Sequence, residues 1–127
     1  MKKIVHLPKD CGNSPRKVWL SNLYAAFANA DILCPLLPQE LEWQCIGIAE
    51  GTSKEMFLKT VYEQLYQRAT EVKIETILTH GKEACVAGSV LTEENQNYSF
   101  CDLFTFKSAG SDQVKKIRSF ILPETSK

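Results

Sequence analysis

The chain has 127 residues, the size of one ordinary domain, and its 15 Lys and Arg balance 15 Asp and Glu. Zero formal net charge removes the electrostatic basis for binding nucleic acid or an anionic membrane surface, and no apolar run is long enough to span a bilayer. The five cysteines (Cys11, Cys34, Cys45, Cys85 and Cys101) contain no C-x-x-C pair, so they read as reduced thiols rather than a disulfide or metal framework.

Residues 1–12 read as an N-terminal arm, and residues 13–123 as a single domain. The arm has two lysines but no sustained apolar stretch, so it is not a secretory signal, and the expected location is cytoplasmic. Asn13-Ser-Pro-Arg16 supplies a cap followed by a first-turn proline, a good helix start. Trp19, Leu20, Leu23, Tyr24 and Phe27 then fall on one face of an amphipathic helix. A second short helix is expected over about 31–37, limited by Pro35 and Pro38. Leu41 to Ile46 reads as a short strand closed by Gly47. Thr52-Ser-Lys-Glu55 has the form of a capping box, opening a third helix that carries Phe57, Val61 and Leu65 to about Arg68.

After that the pattern alternates with period two, and helices give way to strands, which predicts an α+β fold. Val72, Ile74, Thr76 and Leu78 share a face of the first long strand. A turn at Thr79-His-Gly-Lys82 leads to a strand over 84–92. A polar turn leads to Tyr98–Lys107, and a further turn to Val114–Leu122. Three consecutive hairpins make an antiparallel meander.

In the strand Tyr98 to Phe106 one face carries Tyr98, Phe100, Asp102, Phe104 and Phe106. A carboxylate among four rings is costly unless a neighbour satisfies it, its pKa rises, or the face lines a cavity where an acid is useful. The bland alternative is a carboxylate held by a backbone amide, a tyrosine hydroxyl or Arg118. Cys101 and Leu103 lie on the opposite face of this strand, and Phe120 and Leu122 lie opposite Ile117, Ser119 and Ile121 on the last. Helices can cover one side of such a sheet, so a homodimer through the other is expected.

Three elements together resemble the nuclear transport factor 2-like superfamily, in its SnoaL-like, ketosteroid-isomerase-like branch. They are Tyr24-Ala-Ala-Phe-Ala-Asn-Ala-Asp31, then Leu41-Glu-Trp-Gln-Cys-Ile-Gly47 with Glu50-Gly-Thr-Ser-Lys-Glu55, then Cys101-Asp-Leu-Phe-Thr-Phe106 with Val114-Lys-Lys-Ile-Arg118. The resemblance implies a cone: a curved antiparallel sheet wrapped around a long first helix, with two further helices, an open pocket and frequent dimers. In the ketosteroid-isomerase relatives an Asp on the first strand is a general base, and a helix Tyr and a late-strand Asp form an oxyanion hole. That acid is kept protonated by its apolar site.

Carried over, Asp102 matches the late-strand Asp, because the following Phe-x-Phe also matches. The helix Tyr falls at Leu23 or Tyr24. The base falls on Gln44, which accepts no proton at any relevant pH. The catalytic candidates are therefore Asp102 and Tyr24, and the ligand-binding candidates are Gln44, Phe100, Phe104 and Trp19. Trp19 also reads as core. His80 sits in a turn, and two isolated histidines make no metal site. Two readings follow. One is a pocket for a small, mostly apolar ligand, with isomerase- or cyclase-type acid catalysis by Asp102 and neither metal nor cofactor. The other is a non-catalytic dimeric interaction module whose cone is filled by its own side chains.

Overall fold

A computed structural model describes residues 4–6, 15–28, 30–46, 53–111 and 113–124. The first strand, β1 (Ile4–His6), comes from the segment read as an arm. The first helix, α1 (Pro15–Ala25), has proline in its first turn and continues as a 3-10 turn, Ala26–Ala28. Its expected caps, Asn13 and Ser14, lie outside the described residues. Leu20, Leu23, Tyr24 and Phe27 are buried as the periodicity requires. The helix α2 (Ala30–Leu36) contains Pro35 near its end. The strand β2 (Glu42–Ile46) follows.

The third helix, α3 (Lys54–Phe57), is capped by Ser53, whose hydroxyl accepts the Met56 amide at 3.2 Å. The expected capping box placed the cap one residue earlier, at Thr52, which lies outside the described residues. From Leu58 to Tyr66 the helix widens to a π-type turn, with the Gln67 amide reaching back five residues to the Tyr62 carbonyl at 2.6 Å. Val61, Tyr62, Leu65 and Tyr66 are all buried. The buried Lys54 ammonium donates to the Leu37 carbonyl at 2.8 Å, just past the end of α2, where a cation suits the unpaired carbonyls.

The four long strands are β3 (Ala69–His80), β4 (Glu83–Thr92), β5 (Asn97–Phe106) and β6 (Val114–Pro123). They form the expected antiparallel meander, and β1 and β2 add to its two edges in parallel, giving the order β1-β3-β4-β5-β6-β2. The sheet is therefore mixed, because strands arriving from the N-terminal region run alongside its edge strands. Gly81, at φ 60°, makes the two-residue turn between His80 and Glu83.

Register shifts in β3 lie between Ala69 and Glu71 and between Ile74 and Thr76, and one more lies at Thr105/Phe106. Bulges of this kind bend a sheet. The second of them also overturns a sequence expectation. Val72 and Ile74 are buried, but Thr76 and Leu78 are exposed and Ile77 takes the inner face. An extra residue at a bulge reverses the parity of everything after it.

On the inner face lie Phe100, Asp102, Phe104, Phe106, Ile117, Ser119 and Ile121, packed against α1 and the third helix. On the outer face strand pairing places side chains in rows. One row runs Ile46, Phe120, Cys101, Ala87, and the next Gln44, Arg118, Leu103, Cys85, Leu78.

Candidate functional site

Tyr24 on α1 donates its hydroxyl to Asp102 Oδ2 on β5 in a short, fully buried hydrogen bond. The pair sits in a box of rings. Tyr24 lies 4.8 Å from Phe27, 5.9 Å from Phe100 and 6.3 Å from Phe104, centroid to centroid. Tyr66, from the π-type turn, closes the box at 4.5 Å from Phe27 and 6.2 Å from Phe100. Edge-on and offset ring contacts at these distances are favourable beyond area burial.

Burial pushes the Asp102 carboxyl up to about 6, against hydrogen bonds from the Tyr24 and Ser119 hydroxyls that pull it down. Burial also raises the Tyr24 and Tyr66 hydroxyls, and the neighbouring Asp102 charge adds to both. The tyrosines stay protonated, so they act as donors. A carboxyl poised at about 6 has both its forms within reach near neutral pH, so it can give a proton to a bound oxygen or take one back. Two buried polar atoms are left over. Asp102 Oδ1 and the Tyr66 hydroxyl have no hydrogen-bond partner among the described residues.

Of the sequence candidates, the structure brings Asp102, Tyr24, Phe100 and Phe104 together. Trp19 is half-buried and stands apart, edge-on to Phe106 at 5.7 Å. It lines a cleft of about 700 Å³ with Arg16, Asn22, His80 and Gly81. Packed, buried rings separate that cleft from the site: Phe106 stacks on Phe104 at 6.3 Å, and Phe104 meets Tyr24. Beside the cleft, Arg16 packs 3.9 Å over Phe106 and donates to carbonyls of Gly81, Ser108, Ala109 and Ser111, tying two hairpin turns to α1.

Gln44 is not brought to Asp102. The strand β2 alternates so that Glu42, Gln44 and Ile46 face outward and Trp43 and Cys45 inward. Gln44 pairs with Arg118 on the outer face. The inner position belongs to Trp43, whose Nε1 donates to Ser119 Oγ at 3.2 Å. Arg118 does not hold Asp102 either; it lies outside, 5.4 Å over Phe120. Tyr62 has its own acceptor, the Phe27 carbonyl at 3.2 Å. The sequence does not single out Tyr66, because the amphipathic pattern of the third helix accounts for Tyr62 and Tyr66 alike and does not show which hydroxyl is left unpaired. Among the described residues no three His, Cys, Asp or Glu side chains converge as metal ligands, and no helix is long and apolar enough to cross a membrane.

This arrangement of a meander bent by bulges with an opening helix against its inner face has counterparts among solved structures. A nuclear transport factor 2-like protein of unknown function from Cytophaga hutchinsonii superposes with a TM-score of 0.66 at 7% identity, covering 87% of this chain and 92% of the other. The chain has the nuclear transport factor 2-like fold. SalBIII, an epoxide hydrolase/cyclase-like enzyme in pyran ring formation in polyether salinomycin, shares that fold with a TM-score of 0.65 at 13% identity, covering 88% of this chain and 94% of the other. An LEH-like epoxide hydrolase from M. tuberculosis shares it with a TM-score of 0.55 at 16% identity, covering 82% and 83%. No family model and no curated protein sequence matches the chain. At these identities the likeness concerns the nuclear transport factor 2-like fold alone.

Proposed function

We propose that Asp102 is the polar anchor of a SnoaL-like site for a small, mostly apolar molecule carrying one carbonyl or hydroxyl oxygen. The observation that carries this reading is the pair of buried, unpartnered atoms, Asp102 Oδ1 and the Tyr66 hydroxyl. Buried polar groups in native proteins almost always have partners. A ligand oxygen between these two atoms would take one hydrogen bond from Tyr66 and one from protonated Asp102.

The chemistry this supports is acid catalysis of the isomerase or cyclase type. Asp102 protonates the ligand oxygen, and Tyr24 steadies the carboxyl through the process. Proton abstraction from carbon by β2 is disfavoured, because its inward residues are Trp43 and Cys45 and its Gln44 faces away. Epoxide hydrolase/cyclase-like enzymes are built on this fold, so the fold accommodates a catalytic site.

Ketone-bearing and polycyclic compounds screened by thermal shift test the reading on wild type, Asp102→Asn and Tyr66→Phe. A compound present at 100 times its Kd should stabilise the wild type by about 2.7 kcal/mol. Most of that gain should disappear in both variants. Equal shifts in all three proteins would remove Asp102 from any binding role.

A second reading concerns assembly, and the outer rows favour it. Leu78, Leu103 and Ile46 are exposed there beside half-buried Phe120, and Glu42, Lys116, Thr105, Glu83 and His80 form a polar row at one margin. An apolar centre with a polar rim is the anatomy of a protein interface. We expect a homodimer through this face. In sedimentation velocity at micromolar concentration the wild type should run as a dimer and Leu103→Lys as a monomer; a monomeric wild type overturns the assignment.

A further inference from the structure

At the middle of the outer face, two thiols from neighbouring strands meet. Cys85 on β4 stands opposite Leu103, and Cys101 on β5 opposite Ala87, so the cysteines are diagonal neighbours. Their sulfurs are 3.4 Å apart. Both residues are partly exposed, whereas Cys45 is buried. Cys85 also lines a cleft of about 530 Å³ with Leu78, Leu103 and Arg118.

We propose that Cys85 and Cys101 are a modification site, a dithiol that reacts with a small disulfide such as oxidised glutathione and closes into an intramolecular cross-strand bond. The sulfurs need to close from 3.4 Å to about 2.05 Å, which takes side-chain rotation and a local shift of the two strands. Cys85 is the first nucleophile, because it lines the cleft. Its thiolate attacks the glutathione disulfide, forming a mixed disulfide and expelling one glutathione thiolate.

Cys101 then resolves the mixed disulfide. Its thiol is pushed up to about 11, first by burial, then by the hydrogen bond with Cys85 and the Cys85 charge, then by Asp102. Capping Cys85 removes the Cys85 charge, so the first reaction eases the second. The Cys101 thiolate attacks the Cys85 sulfur and expels the second glutathione. Two protein S–H bonds and the glutathione S–S bond have broken; one protein S–S bond and two glutathione S–H bonds have formed, so the two electrons reside in two glutathione thiols. Diagonal strand neighbours lie about 7–8 Å apart at Cα, beyond the usual span of a disulfide, so closure draws the β4 and β5 backbones together and the bond is strained and easily reduced. It ties together β4 and β5 directly behind Asp102, which is next to Cys101 in the chain.

The test equilibrates the full chain in glutathione buffers from reducing to oxidising, then quenches with acid. The chain is kept at concentrations below those at which it dimerises, because a partner copy on the outer face would cover both thiols. The expected species is a monomeric chain that has lost two hydrogens, has two fewer titratable thiols, and yields a Cys85–Cys101 linked peptide, all reversed by excess reduced glutathione. Cys101→Ser should instead stop at a glutathione adduct on Cys85, and Cys85→Ser should remain largely unmodified at Cys101. A stable glutathione adduct on the wild type, a covalent dimer through these cysteines, or no change at the oxidising end would each overturn the proposal.

Discussion

Gly88→Ala is expected to destabilise the protein by about 3 kcal/mol, the upper end of what overpacking a well-packed interior costs. Gly88 is buried in β4, opposite Ile74 at the second bulge of β3 and opposite Phe100 on β5. A Cβ there would overlap the Lys73 carbonyl oxygen and lie 3.1 Å from Phe100 Cε2. The first obstacle is backbone of the neighbouring strand, which moves only if the β3–β4 pairing opens. The second is a ring that stacks on Tyr24, so any relief on that side disturbs the Asp102 box. Urea unfolding of both proteins at constant m-value measures the effect. A loss under about 1 kcal/mol would mean that the bulge yields freely and does not fix the curvature of the sheet.

Gly88 also shows what the sequence leaves unreadable. Period-two alternation revealed the strand β4, but a glycine inside it is equally a weak spot or a close approach. Only strand pairing decides, and pairing is non-local. The same bulge hid the face change in β3. Val72 and Ile74 follow the alternation, then Ile77 rather than Leu78 turns inward. Sequence periodicity has no marker for one extra residue. In β1 the difficulty was length, since three residues leave no pattern until β3 supplies a partner edge.

In the site, legibility followed the strength of the local pattern. Asp102 and its flanking rings were visible because five alternate positions of one strand carry them. Tyr24 was reachable because helix periodicity puts it beside Leu20 and Phe27 on the buried side. Gln44 was misplaced because its position rested on family correspondence rather than on the alternation of β2. Parity read from the residues themselves would have put Trp43 and Cys45 inside, as apolar side chains demand, and left Glu42 and Gln44 in water. Tyr66 could not be singled out, since an orphaned hydroxyl exists only once every neighbour has been placed.

Asp102→Asn is expected to stabilise the protein at pH 7.5 by about 3 kcal/mol and to leave it nearly unchanged at pH 3.5. The sign follows from linkage. The folded carboxyl is raised to about 6 by burial, whereas the unfolded one keeps its ordinary value of about 3.9. Below pH 4 both states hold the proton and Asp102 is neutral. Between pH 4 and 6 the unfolded chain releases its proton first, so wild-type stability falls as pH rises. Above 6 both states are ionised and the cost levels off at the full two-unit difference. Asn carries no charge at any pH and keeps a carbonyl oxygen to accept from Tyr24, so the difference between variant and wild type isolates this one group. Urea melts at pH 3.5, 5, 6 and 7.5 trace it, and a difference that stays flat or turns unfavourable with rising pH refutes the burial of an ionising Asp102. A chain that would gain stability by losing a single carboxyl retains that group for something other than folding. Around pH 6 it holds and releases its proton, its neighbours Tyr24 and Tyr66 remain donors, and one of its oxygens has no partner among the described residues. The same substitution that steadies the fold should therefore be the one that abolishes recognition of a ligand oxygen, and this opposition between stability and binding is what a purely structural aspartate would not produce.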